Sequence, residues 1–305
     1  YNFENLNINK INDDIRDKGI AIIDNFLNSD QTKKISNEHK FIYDNNIKIG
    51  KYHKDNFTKS FLINYRIRDL KFNKELEFSN QLIKDKIIKK MISVCLGKSY
   101  GINNFISHYV DNGETDGEIF PLHMDFFKSN KFRCIKVYLY LTDTNVNNGA
   151  FRYLPVSHNL IRNLINITDA NLIKNEKLKN KFKNLGISEK GLTLQDVIEI
   201  IKFDKNSIKN YDKIVDYLVK KDISEIANDN KLLIEGKAGT LIIFDSHGLH
   251  GGVSVKDRPR DILRIHYFDK EYKEKYLLDQ CNLFIKIKSK VVSKFRWHTK
   301  RKYFF

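Results

Sequence analysis

Three short stretches of the sequence carry side chains able to converge on a metal ion. The first is Pro121-Leu122-His123-Met124-Asp125. Residues two apart in an extended chain point the same way, so His123 and Asp125 aim an imidazole and a carboxylate at one point. The second is Ser246-His247-Gly248-Leu249-His250-Gly251-Gly252, which offers a further imidazole from His247 or His250. Two imidazoles and one carboxylate on one face of an ion make the facial triad of non-haem Fe(II) oxygenases, with three positions left open for co-substrate and O2. The third is Lys256-Asp257-Arg258-Pro259-Arg260, where Arg260 opens a strand. Its permanently charged planar fork suits a bidentate grip on a carboxylate, such as the far end of 2-oxoglutarate. A lone His-x-Asp is a weak signal. Joined to a distant His after a Gly-x-x-x-x-Phe-Asp strand and to an Arg at the next strand, it becomes a strong one.

The elements that must hold these residues change period along the chain. Asn5 to Asp17 reads as a helix and Gly19 to Asp24 as a strand, and Asn28-Ser29-Asp30 caps a helix reaching about Tyr43. Apolar residues at helical spacing predict one helix from about Asn80 to Leu96, closed by Gly97. Strands follow over Phe105–Val110 and Phe132–Leu141, the second alternating Ile135, Val137, Leu139 and Leu141 with Lys136, Tyr138 and Tyr140. Asn147-Asn148-Gly149 signals a tight turn, with Ala150 to Leu154 returning as the second arm of a hairpin. Asn159 to about Asn230 is rich in Lys and Asn and patterned as helix. Strands resume over Ala238–Asp245 and Asp261–Phe268. This order predicts a mainly β antiparallel barrel or jelly roll, with N-terminal and inserted helices.

Composition narrows the class further. Of 305 residues 41% are hydrophobic, enough for a packed core, which excludes wholesale disorder. Cys95, Cys134 and Cys281 form no disulfide framework and no CxxC knuckle, which points to a reducing cytoplasm. No apolar run approaches the roughly 20 residues of a membrane span, and the polar start lacks a signal-peptide core. The net charge is +16, and eight basic residues with no acid fall between Lys286 and Phe305. That tail, interleaved with Phe295, Trp297, Tyr303 and Phe304, reads either as a peripheral contact to an anionic membrane or as a solvated extension. No nucleic-acid motif accompanies the charge, so no nucleic-acid partner is expected, and no obligate protein partner is evident.

His123-Met-Asp125, Ile135 to Asp143, Asn148 to His158 and Gly239-Thr-Leu-Ile-Ile-Phe-Asp-Ser-His-Gly-Leu-His250-Gly251, with the following Arg260, resemble the phytanoyl-CoA dioxygenase family. The resemblance spans roughly Gly19 to Tyr267 and is specific in the two motif blocks. It implies a double-stranded β-helix (cupin-like) and the co-reactants Fe(II), 2-oxoglutarate and O2. Carried over residue by residue, His123, Asp125 and His250 would bind iron and Arg260 the distal carboxylate of 2-oxoglutarate. The Leu-His-Gly-Gly context favours His250 over His247, which is placed beside the pocket instead. The first position of the strand favours Arg260 over Arg258 and Arg264. Lys136 and Tyr138 share one strand face within reach of the co-substrate. His108, His158 and His266 are assigned to structure, Cys134 to the core, and Phe126, Phe127, Phe151 and Tyr153 to either pocket or core.

The family's usual Pro-Gly-Ser-His is Pro155-Val156-Ser157-His158 here, a change that touches no proposed ligand. Related halogenases lack the carboxylate, so Asp125 favours hydroxylation of an aliphatic C–H bond. The substrate expected is a small or carrier-linked molecule, anionic if the +16 charge selects it. One domain is expected over 1–285, with 159–230 as a helical insertion and lid, followed by the basic tail 286–305. The competing reading is a metal-holding binding or regulatory module without redox turnover.

Overall fold

In the computed structural model the described residues are 7–45, 47, 49, 51–55, 60–65, 70–71, 73–97, 100–111, 122–125, 133–169, 192–203, 208 and 210–270. The basic tail 286–305, Cys281, Phe126 and Phe127 lie outside them, as do residues 170–191 of the insertion. Seven antiparallel strands form the larger sheet, in the order β1 (Ile20–Ile23), β8 (Leu241–Asp245), β5 (Cys134–Tyr140), β10 (Arg260–Asp269), β4 (Tyr100–Val110), β3 (Ser60–Tyr65), β2 (Lys51–Asp55). A smaller antiparallel sheet, β7 (Leu233–Ile234), β6 (Phe151–Tyr153), β9 (His250–Gly252), packs against it. Together they make the expected double-stranded β-helix.

The alternation in β5 is real, yet every residue of the strand is buried. Ile135, Val137 and Leu139 face a core shared with α1 (Ile8–Lys18), α2 (Ser29–Asp44), α3 (Glu77–Lys84) and α4 (Lys86–Leu96). Lys136, Tyr138 and Tyr140 point the other way, between the two sheets. The polar face of this strand thus lines the interior of the barrel. Period two separates the faces of a strand; it does not say which one meets water.

Two sequence expectations need correction. The helix read over Asn80–Leu96 is two helices, broken at Asp85 (φ −53°, ψ 129°). The Asp85 carboxylate accepts from the Ile87 and Ile88 amides at 2.8 and 2.9 Å, so it caps α4 rather than continuing α3. The hairpin expected between β5 and β6 does not form either. The Asn147–Gly149 turn exists, with Gly149 at φ +84°, but β6 pairs with β7 and β9 in the other sheet. The connection is a crossover, fastened midway by reciprocal bonds between Thr144 and Gly236 at 2.8 and 2.9 Å.

The insertion supplies α5 (Ser157–Asp169), α6 (Leu194–Phe203), α7 (Asp212–Lys220) and α8 (Ile223–Ala227). These helices share a second apolar core with Leu122, Met124 and Leu249, the neighbours of the candidate metal ligands. Residues 192–194 also pair with 122–124: Leu194 N donates to Leu122 O at 2.7 Å, and Met124 N to Leu192 O at 2.9 Å. None of the described insertion residues lines the cavity discussed below. No helix among the described residues is long and apolar enough to cross a membrane.

At the sheet's outer face the Ser36 hydroxyl of α2 donates to the Asp261 carboxylate on β10. Burial pushes the Asp261 carboxyl up to about 6, against the hydrogen bond from Ser36 and the charge of Arg260. An acid with a raised folded pKa holds its proton more tightly when folded, so stability falls as pH rises from about 4 to about 6 and is then flat. Asp261→Asn, which keeps the shape without the charge, should therefore stabilise the protein by about 3 kcal/mol at pH 8 and by almost nothing below pH 4. Urea unfolding at the two pH values checks this; an equal gain at both would show that charge is not the cause.

Candidate metal centre

His123 and His250 face each other as an antiparallel pair at the edge of β9. The His123 amide donates to the His250 carbonyl at 2.9 Å, and the His250 amide returns the bond at 2.8 Å. Backbone pairing thus brings the two rings to 4.8 Å between centroids. Two residues on, Asp125 comes back to the same side. Its Oδ2 lies 3.3 Å from His250 Nε2 and its Oδ1 3.9 Å from His123 Nε2. One ligand atom from each of the three residues falls within 4.8 Å of the others.

The protonation of His250 follows from its partner. Its Nδ1 lies 2.8 Å from the Gly248 carbonyl, which can only accept, so Nδ1 carries a proton and Nε2 is the nitrogen turned toward Asp125. His247 is turned away. Its Nδ1 lies 3.2 Å from Asp245 Oδ1, and its amide donates to that oxygen at 3.0 Å. Arg162 of α5 and, at 3.8 Å, Arg133 reach the other Asp245 oxygen. Burial alone would raise the Asp245 carboxyl, but His247 and Arg162 hold it well below the usual range. This cluster fixes the turn that delivers His250, and the next carbonyl, Ser246, accepts from the Asp125 amide at 3.4 Å.

From the three candidate ligands a cavity of about 540 Å³ runs between the sheets. Lys136 and Tyr138 of β5, His108 of β4, and Arg260, Arg264 and His266 of β10 all line it. Residues 15–256 match the family model described as phytanoyl-CoA dioxygenase. The chain belongs to the phytanoyl-CoA dioxygenase family. It is thereby a member of the Fe(II)/2-oxoglutarate-dependent oxygenase superfamily.

Solved structures share the fold of this phytanoyl-CoA dioxygenase family member at low sequence identity. The non-haem α-ketoglutarate-dependent epimerase SnoN from nogalamycin biosynthesis is 12% identical, with a TM-score of 0.51 over 86% of this chain and 83% of SnoN. The α-ketoglutarate-dependent carbocyclase SnoK from the same biosynthesis is also 12% identical, with a TM-score of 0.51 over 87% of this chain and 85% of SnoK. HygX from Streptomyces hygroscopicus, solved with nickel and 2-oxoglutarate, is 10% identical, with a TM-score of 0.51 over 86% of this chain and 87% of HygX. No curated protein sequence matches the chain.

The electrostatics of this family member's cavity are one-sided. Lys136 Nζ lies 2.5 Å from Asp125 Oδ2. Burial would raise the Asp125 carboxyl, but Lys136 and His250 hold it well below the ordinary range. Arg260, buried at the head of β10, donates to the Gly149 carbonyl at 2.9 Å, and burial with the nearby Arg264 pulls its guanidinium down to about 10. Arg258 is exposed, as expected for a solvated residue. Arg264 and His266, by contrast, face the cavity on the same side of β10 as Arg260, and His108 lies against both arginines. The sequence reading assigns His108 and His266 to structure, whereas the fold places both on the cavity wall. Strand parity was the available signal, since 260, 264 and 266 share one face. His158 does play a structural part, pairing with the Arg16 carbonyl at 3.0 Å. Phe151 lines the cavity, whereas Tyr153 lies behind it and donates to the Asp245 carbonyl at 3.2 Å. Cys134 sits in the core, where burial pushes its thiol up to about 12 and leaves it inert.

Proposed function

We propose that this protein is an Fe(II)- and 2-oxoglutarate-dependent dioxygenase that hydroxylates an aliphatic C–H bond of a small or carrier-linked molecule. The observation that carries the reading is the His123–Asp125–His250 cluster, with the Gly248 carbonyl holding Nδ1 of His250 so that its Nε2 is the nitrogen turned into the cluster. Two imidazole nitrogens and a carboxylate oxygen are the donor set that suits non-haem iron and leaves positions open. The HygX structure, solved with nickel and 2-oxoglutarate in a similar fold, supports it.

Bound Fe(II), with 2-oxoglutarate and O2, would supply the oxidation of the substrate C–H bond. The chain's own residues hold and orient. His123, Asp125 and His250 hold the ion, and Arg260 holds the distal carboxylate of 2-oxoglutarate. Lys136, paired with Asp125, and Tyr138 would flank the co-substrate on β5. Phe151, Phe244 and His250 stack at 4.6 to 5.9 Å between centroids and back the site with an apolar wall that excludes water. The buried thiols of Cys95 and Cys134 fit a reducing cytoplasm.

Anaerobic titration with Fe(II) and then 2-oxoglutarate tests the reading. A weak visible charge-transfer band of the chelate is expected in the wild type and not in His250→Ala. Metal binding without that band, at saturating 2-oxoglutarate, would overturn it in favour of a metal-holding module without co-substrate.

A further inference from the structure

Two guanidinium groups crowd one imidazole on the cavity wall. Arg264 contacts His108 Nδ1 directly, and Arg260 reaches the same nitrogen at 3.4 Å. Burial, reinforced by the two arginines, holds His108 neutral, so its Nδ1 is an acceptor. It lends Arg264 a hydrogen bond but no counter-charge. The Tyr138 ring also lies 5.5 Å from the Arg264 guanidinium, and the Arg264 Nε is buried with no described hydrogen-bond partner.

Two cations held side by side, Arg260 buried and Arg264 half-buried, are unfavourable unless anions complete them. The charge of the lining leads the same way. Among the described lining residues Lys136, Arg260 and Arg264 stand against the single carboxylate of Asp125. Taking Fe(II) and 2-oxoglutarate as occupants, as proposed above, leaves that excess unchanged, because a divalent cation and a dianion cancel.

Strand register separates the two arginines. On β5, Arg264 is opposite Tyr138 and His266 is opposite Lys136, the partner of Asp125. Arg260 lies beyond Ile262, which faces Tyr140, and is tied to Gly149. Arg264 is therefore the arginine nearer the ligand cluster, and Arg260 is the more remote. If the metal end of 2-oxoglutarate sits on the ion and its far end on Arg260, neither carboxylate is assigned to Arg264. A cavity of about 540 Å³ also holds more than a five-carbon diacid, and Leu62, Val110 and Ile262 give it apolar wall beside the charges.

We propose that Arg264, supported by His108, is the anchor for an oxyanion group of the organic substrate: a carboxylate, phosphate or sulfonate. The substrate is then an anionic molecule with an aliphatic portion, held by a planar fork beside the ligand cluster and distinct from the grip of Arg260 on 2-oxoglutarate. Arginine suits this role because its fork matches two oxygens at once.

Inorganic sulfate is the probe for the test, titrated calorimetrically into full-length protein loaded with Ni(II) and 2-oxoglutarate. Wild type, Arg264→Met, Arg264→Lys and Arg260→Met are compared, with 2-oxoglutarate affinity measured in each. In Arg264→Met, sulfate affinity is expected to fall tenfold or more while 2-oxoglutarate affinity stays within twofold. Arg264→Lys, which keeps the charge and guards against a folding defect, should fall between it and the wild type. Arg260→Met should show the reverse pattern, with 2-oxoglutarate weakened tenfold or more. Equal weakening of 2-oxoglutarate in both methionine variants would make Arg264 a second clamp on the co-substrate and overturn the proposal. So would sulfate binding that is absent from the wild type or unchanged in Arg264→Met. Failure of the wild type to bind 2-oxoglutarate counts against the dioxygenase reading instead, and sulfate titrated without 2-oxoglutarate still reads the Arg264 site.

Discussion

Asp125→Ala is expected to bind Fe(II) on the order of a hundredfold more weakly, or worse, and to lose 2-oxoglutarate turnover. Removing groups that merely orient a ligand commonly costs 10–100-fold in metal affinity, so removing a ligand sets a floor at the upper end of that range. A second effect has a different origin. Lys136 is buried, and Asp125 is its described ion-pair partner. Breaking a buried pair from one side strands the other charge, which destabilises by about 3–5 kcal/mol. Metal-free Asp125→Ala should therefore unfold at markedly lower denaturant than the metal-free wild type. Adding Lys136→Met removes the stranded ammonium and should restore most of the stability and none of the iron binding. Urea unfolding in chelator, with calorimetric iron titration of the same two variants, separates the effects. If the double variant is no more stable than the single one, the stranded Lys136 is not the cause.

Gly239→Ala is expected to cost on the order of 4 kcal/mol or more and to prevent accumulation of folded protein at growth temperature. Gly239 opens the approach to β8 at φ +96°, and a Cβ there would stand 1.9 Å from the Leu27 carbonyl oxygen. The neighbour is backbone, and Gly239 is stitched to it: its carbonyl accepts from the Leu27 amide at 3.1 Å, while its own amide donates to Tyr140 O at 2.7 Å. Neither side has room to move without breaking a bond that registers β8 beside β5. Gly97 is the control. It has φ +80°, but nothing lies within 4 Å of its Cβ position, so Gly97→Ala carries backbone strain alone, about 1–3 kcal/mol. Comparable losses at the two sites would show that the close approach at Leu27 is not decisive.

The same glycine shows what was legible in the sequence. The Gly-x-x-x-x-Phe-Asp stretch marked a buried strand leading to His250, and the tight fit at Gly239 gives a physical reason for that glycine. The convergence of His123, Asp125 and His250 was legible because spacing of two and a distinctive local context need only short-range regularities. The helix break at Asp85 was harder to see, because apolar residues on both sides keep the helical beat and only the cap reveals the interruption. The destination of β6 could not be read from the turn before it: Asn147–Gly149 reverses the chain equally well for a hairpin or for a crossing between sheets. The inward face of β5 and β10 was hidden for a further reason. Lys136, Arg264 and His266 look like solvated positions until closure of the barrel turns that face inside, which is a property of the whole sheet and not of the strand.

Asp245 carries a last consequence. It ends a core strand, yet its charge is met by Arg162, which belongs to the inserted helix α5. A carboxylate this deep cannot be left without its cation. The insertion also lends residues 192–194 as the outer pairing partner of the His123 segment. What reads in the sequence as an excursion between two motif blocks is therefore a structural member of the barrel. Such a segment cannot be exchanged between homologues as a cassette; it has to change in concert with β8 and with the chain that carries the candidate metal ligands.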